Sequence, residues 1–247
     1  MINKVTRELI NRGYNADIVT TTKNGVQFTG IALSKANANA RLTPVFYKEE
    51  YWDIMPVSMI ADTLEELYRN THAPHFNGNL EDPDFLRANT KICVQPKGNE
   101  DILKRNFLDL EVYLRCSIDD GYSFKVKPEM EVEGLFECAA LNTRRDTEII
   151  KFGGVMNITT NADKLFGAGC LYCTDIFADF CKANNLKGCF IIPSSIHELI
   201  LVADDDTNQQ GKFDAMVKDA NRDVVEDTEY LSDHAYYYSL TTNTITW

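Results

Sequence analysis

The stretch ADIVTTTKNGVQFTGIAL, residues 16–33, constrains the fold more than any other part of the chain. Asn24-Gly25 lies between two runs rich in valine, isoleucine and threonine. An Asn-Gly pair favours a two-residue hairpin turn because both central positions need positive φ, and β-branched residues suit the flanking strands. The spacing predicts an antiparallel hairpin, with Gly30 marking a bulge. RLTPVFY, residues 41–47, predicts a third strand. Helical periodicity brackets this β region. Asn3 is a candidate cap for a short first helix with Val5, Leu9 and Ile10 on one face. Val57, Ile60, Leu64, Leu67 and Tyr68 form an apolar stripe behind Pro56, and proline suits a first helical turn.

Two prolines, a glycine and several asparagines break the pattern in NTHAPHFNGNLEDPDF, residues 70–85. The 247 residues are expected to form one compact unit, with any division into two lobes falling near 72–100. FLDLEVYLRCSI predicts one strand and YSFKVK another; Pro128 to Asn142 predicts a helix, and GGVMNITT a short strand. Asn161 is a candidate cap for a long helix over 162–183, with Phe166, Cys170, Cys173, Phe177 and Phe180 on one face. Two strands around residues 188–203, a polar helix near 208–222 and an aromatic hairpin at HAYYYSLTTNTITW complete the chain. Helices and strands do not alternate as βαβ units. The fold class is therefore α+β, with mixed sheets, packed helices, an N-terminal hairpin and C-terminal antiparallel strands.

Charge narrows the partners. The net charge of −12 repels phosphate backbones, and the densest basic spots, Lys104-Arg105 and Arg144-Arg145, are each followed closely by acid. Direct nucleic-acid binding is therefore not expected, whereas a protein with a basic surface is a suitable partner. No apolar run approaches the length of a membrane span, and MINKVTRELINRGYN reads as an amphipathic helix and not a signal peptide. Seven cysteines, an odd number unevenly spread, suit reduced thiols and a cytoplasmic setting.

Candidate chemistry is sparse. Cys170 and Cys173 form a C-x-x-C pair, but they share an apolar helical face and lack a second closely spaced pair, so they read as core residues. His72 and His75, with Asp82 and Asp84 downstream, make only a fragment of a metal shell. Asp204, Asp205 and Asp206 lack the spacing of a calcium loop. No metal and no cofactor is expected. GCFIIPSSIHELILVADDD, residues 188–206, places Ser194, Ser195, His197 and Glu198 together, and Asp233 and His234 follow further on. A nucleophile elbow needs glycines on either side of its serine, and none is present. Ser194 and Ser195 read instead as a turn, with His197 and Glu198 beginning the returning strand on opposite faces.

LFGAGCLYC, FIIPSSIHELILVADD, LSDHAYYYS and NFLDLEVYLRC resemble a bacterial family known as domain of unknown function 5688. The resemblance is specific from about Asn106 to Ser239 and looser in the first hairpin and the Pro56 helix. It implies a cytoplasmic clostridial protein encoded on a mobile element or phage. No activity is assigned to that family, so the resemblance carries no catalytic residue. Two function classes remain. The preferred one is a non-enzymatic acidic protein that engages a host protein. The alternative is a hydrolase or transferase with a site around Ser195, His197, Asp233 and His234.

Overall fold

The computed structural model describes all residues except 36–42, 72–78, 119–121, 154–155 and 205–209. The chain divides into two compact units, Met1–Phe76 and Asn77–Trp247. The first contains α1 (Ile2–Asn11), β1 (Tyr14–Lys23), β2 (Val26–Lys35), β3 (Val45–Tyr47) and α2 (Val57–Asn70). Asn24 and Gly25 turn the β1–β2 hairpin with φ of 49° and 82°, as an Asn-Gly turn requires. The register runs unbroken through Val19 opposite Gly30, so Gly30 is not a bulge. Its missing side chain admits β3 instead: a Cβ there would lie 2.6 Å from the Phe46 carbonyl oxygen.

Val5, Leu9, Ile31, Leu33, Trp52, Ile60 and Leu64 close the core of this unit. Ile10 and Leu67, expected on the apolar faces, are exposed instead. Asn3 lies inside α1, whose cap position is Met1. Arg12 ties α1 to α2 through Asp62 at 2.7 Å and Glu65 at 2.9 Å.

The second unit begins where a loop was expected. α3 (Pro83–Asn89) and β4 (Thr90–Pro96) occupy that stretch. Asp82 accepts hydrogen bonds from the Asp84 and Phe85 amides, and Pro83 occupies the first helical position, so this proline starts a helix and does not break one. The strand expected over 107–118 is two: β5 (Lys104–Phe107) and β6 (Leu110–Ser117) turn at Leu108, whose φ is 56°. β7 (Ser123–Lys125) and β4 pair with opposite edges of β6. The predicted 128–142 helix starts later, after Gly134, as α4 (Leu135–Asp146), and runs directly into an unforeseen strand, β8 (Thr147–Phe152).

β9 (Met156–Asn161) follows. The long helix expected over 162–183 is broken into a 3-10 helix, Gly167–Tyr172, and α5 (Thr174–Ala183). Close approach explains the break. A Cβ on Gly169 would lie 2.0 Å from the Ile92 carbonyl oxygen of β4, and one on Gly167 would lie 2.6 Å from that of His197. Asn161 closes a turn onto Leu165, whose amide it accepts and whose carbonyl it bonds, and does not cap α5.

β10 (Gly188–Ser195) and β11 (Glu198–Ala203) form the expected hairpin, followed by α6 (Gln210–Asp223), β12 (Tyr236–Ser239) and β13 (Thr244–Thr246). The six-stranded sheet is ordered β13-β12-β10-β11-β9-β8, and every described strand pairing is antiparallel. One core joins the inner face of this sheet, including Leu199, Leu201 and Tyr238, to Ile92, Val112, Leu114 and Phe177. Cys170 and Cys173 belong to it. The architecture is α+β.

Candidate functional site

The β10–β11 turn differs from its sequence reading in one detail. Ser194 and Ser195 lie in β10, Ser195 pairs with Glu198, and Ile196 and His197 make the turn. A register irregularity at Pro193 accounts for the shift. Proline donates no N–H, and Pro193 lies past Ile191, where β12 stops pairing with β10. The Ser194 hydroxyl donates to Glu198 at 3.2 Å, and the Ser195 oxygen accepts the His197 amide at 3.0 Å. The His197 ring serves a third segment. Its Nδ1 accepts the Phe166 amide at 3.0 Å, and its Nε2 lies 3.6 Å from Glu229. An accepting Nδ1 carries no proton, so the neutral ring is protonated on Nε2.

Asp233 and His234 belong to another set of bonds. Asp233 accepts from Asn221 at 2.9 Å, and the His234 amide donates to Ser232. The Ser232 hydroxyl donates to Asp109 at 2.7 Å, and the Tyr236 phenol reaches the other Asp109 oxygen at 2.8 Å. Among the described residues no hydrogen bond joins Asp233 or His234 to Ser194, Ser195, His197 or Glu198.

The metal fragments resolve separately. Asp82 caps α3, Asp84 pairs with Arg87, and Asp204 accepts the Tyr237 phenol at 2.8 Å. His72, His75, Asp205 and Asp206 lie outside the described residues. Burial pushes the thiols of Cys170 and Cys173 up to about 12.

A denser polar constellation lies on the four-stranded sheet. Lys91 opposes Arg115, Cys93 opposes Tyr113 and Gln95 opposes Glu111; Lys104 and Lys125 join from β5 and β7. Cross-strand partners share a face, so these side chains share one face while Ile92, Val94, Val112 and Leu114 face the core. Gln95, Glu111, Cys93 and Tyr113 are nonetheless buried. Lys104 lies 3.1 Å from Glu111, Lys125 contacts Glu100 and Gln95, and Lys91 contacts Asp146. Burial raises the Cys93 thiol to about 11 and Tyr113 well above an ordinary phenol, so both stay protonated at neutral pH.

One end of this face opens into a cleft of about 550 Å³, lined by Asn89, Lys91, Cys93, Arg115, Ser117, Tyr122, Asp146, Asp163 and Phe166 among others. Arg115 donates from Nε to the Ser123 hydroxyl at 2.6 Å, and its guanidinium lies 4.5 Å from the centre of the Phe166 ring. Among the described residues, no carboxylate pairs with it. The Phe166 backbone is left-handed, at φ 58°, and its ring lies 5.4 Å from the His197 imidazole on centres. Lys91, Cys93, Gln95, Glu111, Tyr113 and Arg115 were not singled out from the sequence, and Phe166 was read only as part of a helical face. The signal was the period-two alternation in Lys91, Cys93, Gln95 and in Glu111, Tyr113, Arg115, Ser117, polar at every second position.

Residues 129–240 match the model of a family described as Family of unknown function (DUF5688), the family that the sequence resembles. The matched span runs from before α4 through β12, and β4 to β7 precede it. No curated protein and no solved structure matches the chain. Among the described residues no helix is long and apolar enough to cross a membrane.

Proposed function

We propose that the chain is a non-enzymatic binding protein and that the cleft beside β6 holds a small ligand. The observation that carries this reading is Arg115, a cation without a carboxylate partner among the described residues, laid on Phe166 at the wall of a 550 Å³ cleft. Ligand sites commonly have volumes of about 300–1,000 Å³, with a few placed polar groups. The hydrolase alternative has less support. The His197 Nδ1 accepts a backbone amide, and the Ser195 oxygen accepts another.

A second reading keeps the acidic protein that engages a basic host partner, with the mobile-element setting that the resemblance implies. It rests on the edge strand β8, where Ile150 and Phe152 are 42% and 57% exposed. On the same sheet, Phe213 and Val217 of α6 pack with Ile192, Ile200 and Val202.

An NMR titration of the full chain against a library of small polar compounds tests the reading. Shifts gathered on Lys91, Arg115 and Phe166 are expected. Shifts confined to β8 in the presence of basic peptides favour the second reading. Ester turnover abolished by both Ser195→Ala and His197→Ala returns the hydrolase.

A further inference from the structure

We infer that the cleft takes an anionic ligand, a carboxylate or phosphate group anchored by Arg115, and that His197 is the positioning residue for the anchoring wall. This rests on the cleft being the binding site and adds the chemical class of its ligand. On this sheet face the other cations are matched: Lys91 with Asp146, Lys104 with Glu111 and Lys125 with Glu100. Arg115 differs. Its Nε is held by Ser123 and its Cζ lies 4.5 Å over the centre of the Phe166 ring, while neither terminal nitrogen makes a hydrogen bond among the described residues. A guanidinium fixed in this way presents a planar fork of donors, which suits the two oxygens of a carboxylate or phosphate. Phosphate and carboxylate share this chemistry, and only measurement separates them.

Phe166 supports that fork, and its backbone is in a conformation that a bulky residue rarely adopts. The Phe166 amide ends on the His197 Nδ1 at 3.0 Å. Protonating His197 turns Nδ1 into a donor facing that amide, and the bond is lost. Among the described residues, charged and polar groups face the imidazole and its residue, the Ser195 hydroxyl at the His197 amide among them. Glu229 lies 3.6 Å from Nε2, Thr160 bonds the His197 carbonyl, and Arg115 lies across the Phe166 ring. Anion affinity therefore falls on acidification although the protein gains positive charge. Plain electrostatics predicts the reverse.

The test is NMR titration of the full chain with inorganic phosphate, acetate and sulfate, the last because it does not titrate near neutrality. Saturable shifts at β6 and Phe166 are expected, and the tighter of phosphate and acetate names the source. The fold-preserving Arg115→Lys should weaken binding about tenfold, the loss of one charge-assisted hydrogen bond, and Arg115→Met, which removes the charge and both prongs of the fork, by more than that. His197→Ala should weaken sulfate severalfold. His197→Asn, whose oxygen replaces Nδ1 as acceptor and which cannot be protonated there, should restore affinity and remove its dependence on pH. Sulfate binding that strengthens on acidification, or that ignores both Arg115 variants, overturns the inference. Neutral polyols shifting the cleft while all three anions fail refutes the ligand class but leaves the binding reading standing. No shift from any compound removes both.

Discussion

Adding one methyl group to Gly169 should destabilise the second unit about as much as truncating a large core side chain would. A Cβ there would lie 2.0 Å from the Ile92 carbonyl oxygen, 2.8 Å from its carbon and 3.2 Å from the Cys93 Cα. All three atoms are backbone of β4, which is paired along its length with β6. Ordinary contact begins at 3.4 Å, so the 3-10 helix must retreat by 3.4 − 2.0 = 1.4 Å from the strand. It carries Cys170 and Leu171, both fully buried, so the movement opens the core on its other side. Overpacking costs typically about 1–3 kcal/mol, and a backbone obstacle with no rotamer to yield puts Gly169→Ala at about 3 kcal/mol or more. For a unit of this size that is a fall in Tm of about 6–12 °C. Gly211→Ala is the matched control: among the described residues nothing lies within 4 Å of its Cβ position in α6. There the same methyl group should stabilise by up to about 1 kcal/mol through backbone entropy. Thermal and urea unfolding followed by far-ultraviolet circular dichroism measures both. A Gly169→Ala protein melting within a degree of the wild type would refute the close-approach argument.

Alkaline stability follows from the buried thiols. Burial raises Cys93 to about 11 and Cys170 and Cys173 to about 12. A thiol raised above its unfolded value contributes fully below that value, and the contribution is lost as pH climbs towards the folded one. Urea unfolding should weaken from about pH 9 upward, by up to about 1.4 kcal/mol per pH unit for each thiol, and Cys173→Ala should flatten the slope. An unchanged slope in that variant counts against the assignment. Gly25→Ala should cost about 1–2 kcal/mol in equilibrium unfolding because φ is 82°, although nothing lies within 4 Å, and Gly25→Asn should recover part of it. Cys138 is half-buried and the other six cysteines are buried, so an aromatic disulfide reagent should label one thiol in the native protein and none in Cys138→Ser. Rapid labelling of a second thiol under native conditions would show that the core opens.

Local chemistry was legible and close approach was not. Asn24-Gly25 specifies its own turn, and the Ile60 and Leu64 stripe specifies the buried face of α2, because neighbours in sequence decide both. The aromatic strand β12 and the hairpin around Pro193 were visible for the same reason. Leu108 gave no sign of turning, since leucine has no preference for positive φ; the β5–β6 register imposes it. Phe166, Cys170, Phe177 and Phe180 keep a helical period, yet Gly167 and Gly169 take the chain so near β4 and His197 that one continuous helix does not form. At the candidate site, serine, histidine and glutamate attracted notice because they stand together in sequence. Arg115, Phe166 and His197 meet only after two sheets have formed, and the polar alternation on β6 was the one advance sign of Arg115; Phe166 and His197 were noticed, but for a helix face and a turn.

The two hydrogen bonds on Asp109 have a consequence for how the chain is made. Asp109 follows the Leu108 turn, and its partners Ser232 and Tyr236 lie 123 and 127 residues further along. Such a closure cannot be rehearsed locally, because loop entropy must be met before either bond forms. On a ribosome, β4 to β7 are complete while β12 is still unmade, and β10 waits with an open edge facing the position of Tyr236. The Asp109 carboxylate is then a seat held for a late arrival. During synthesis this unit depends on that edge finding its own strand before another chain's.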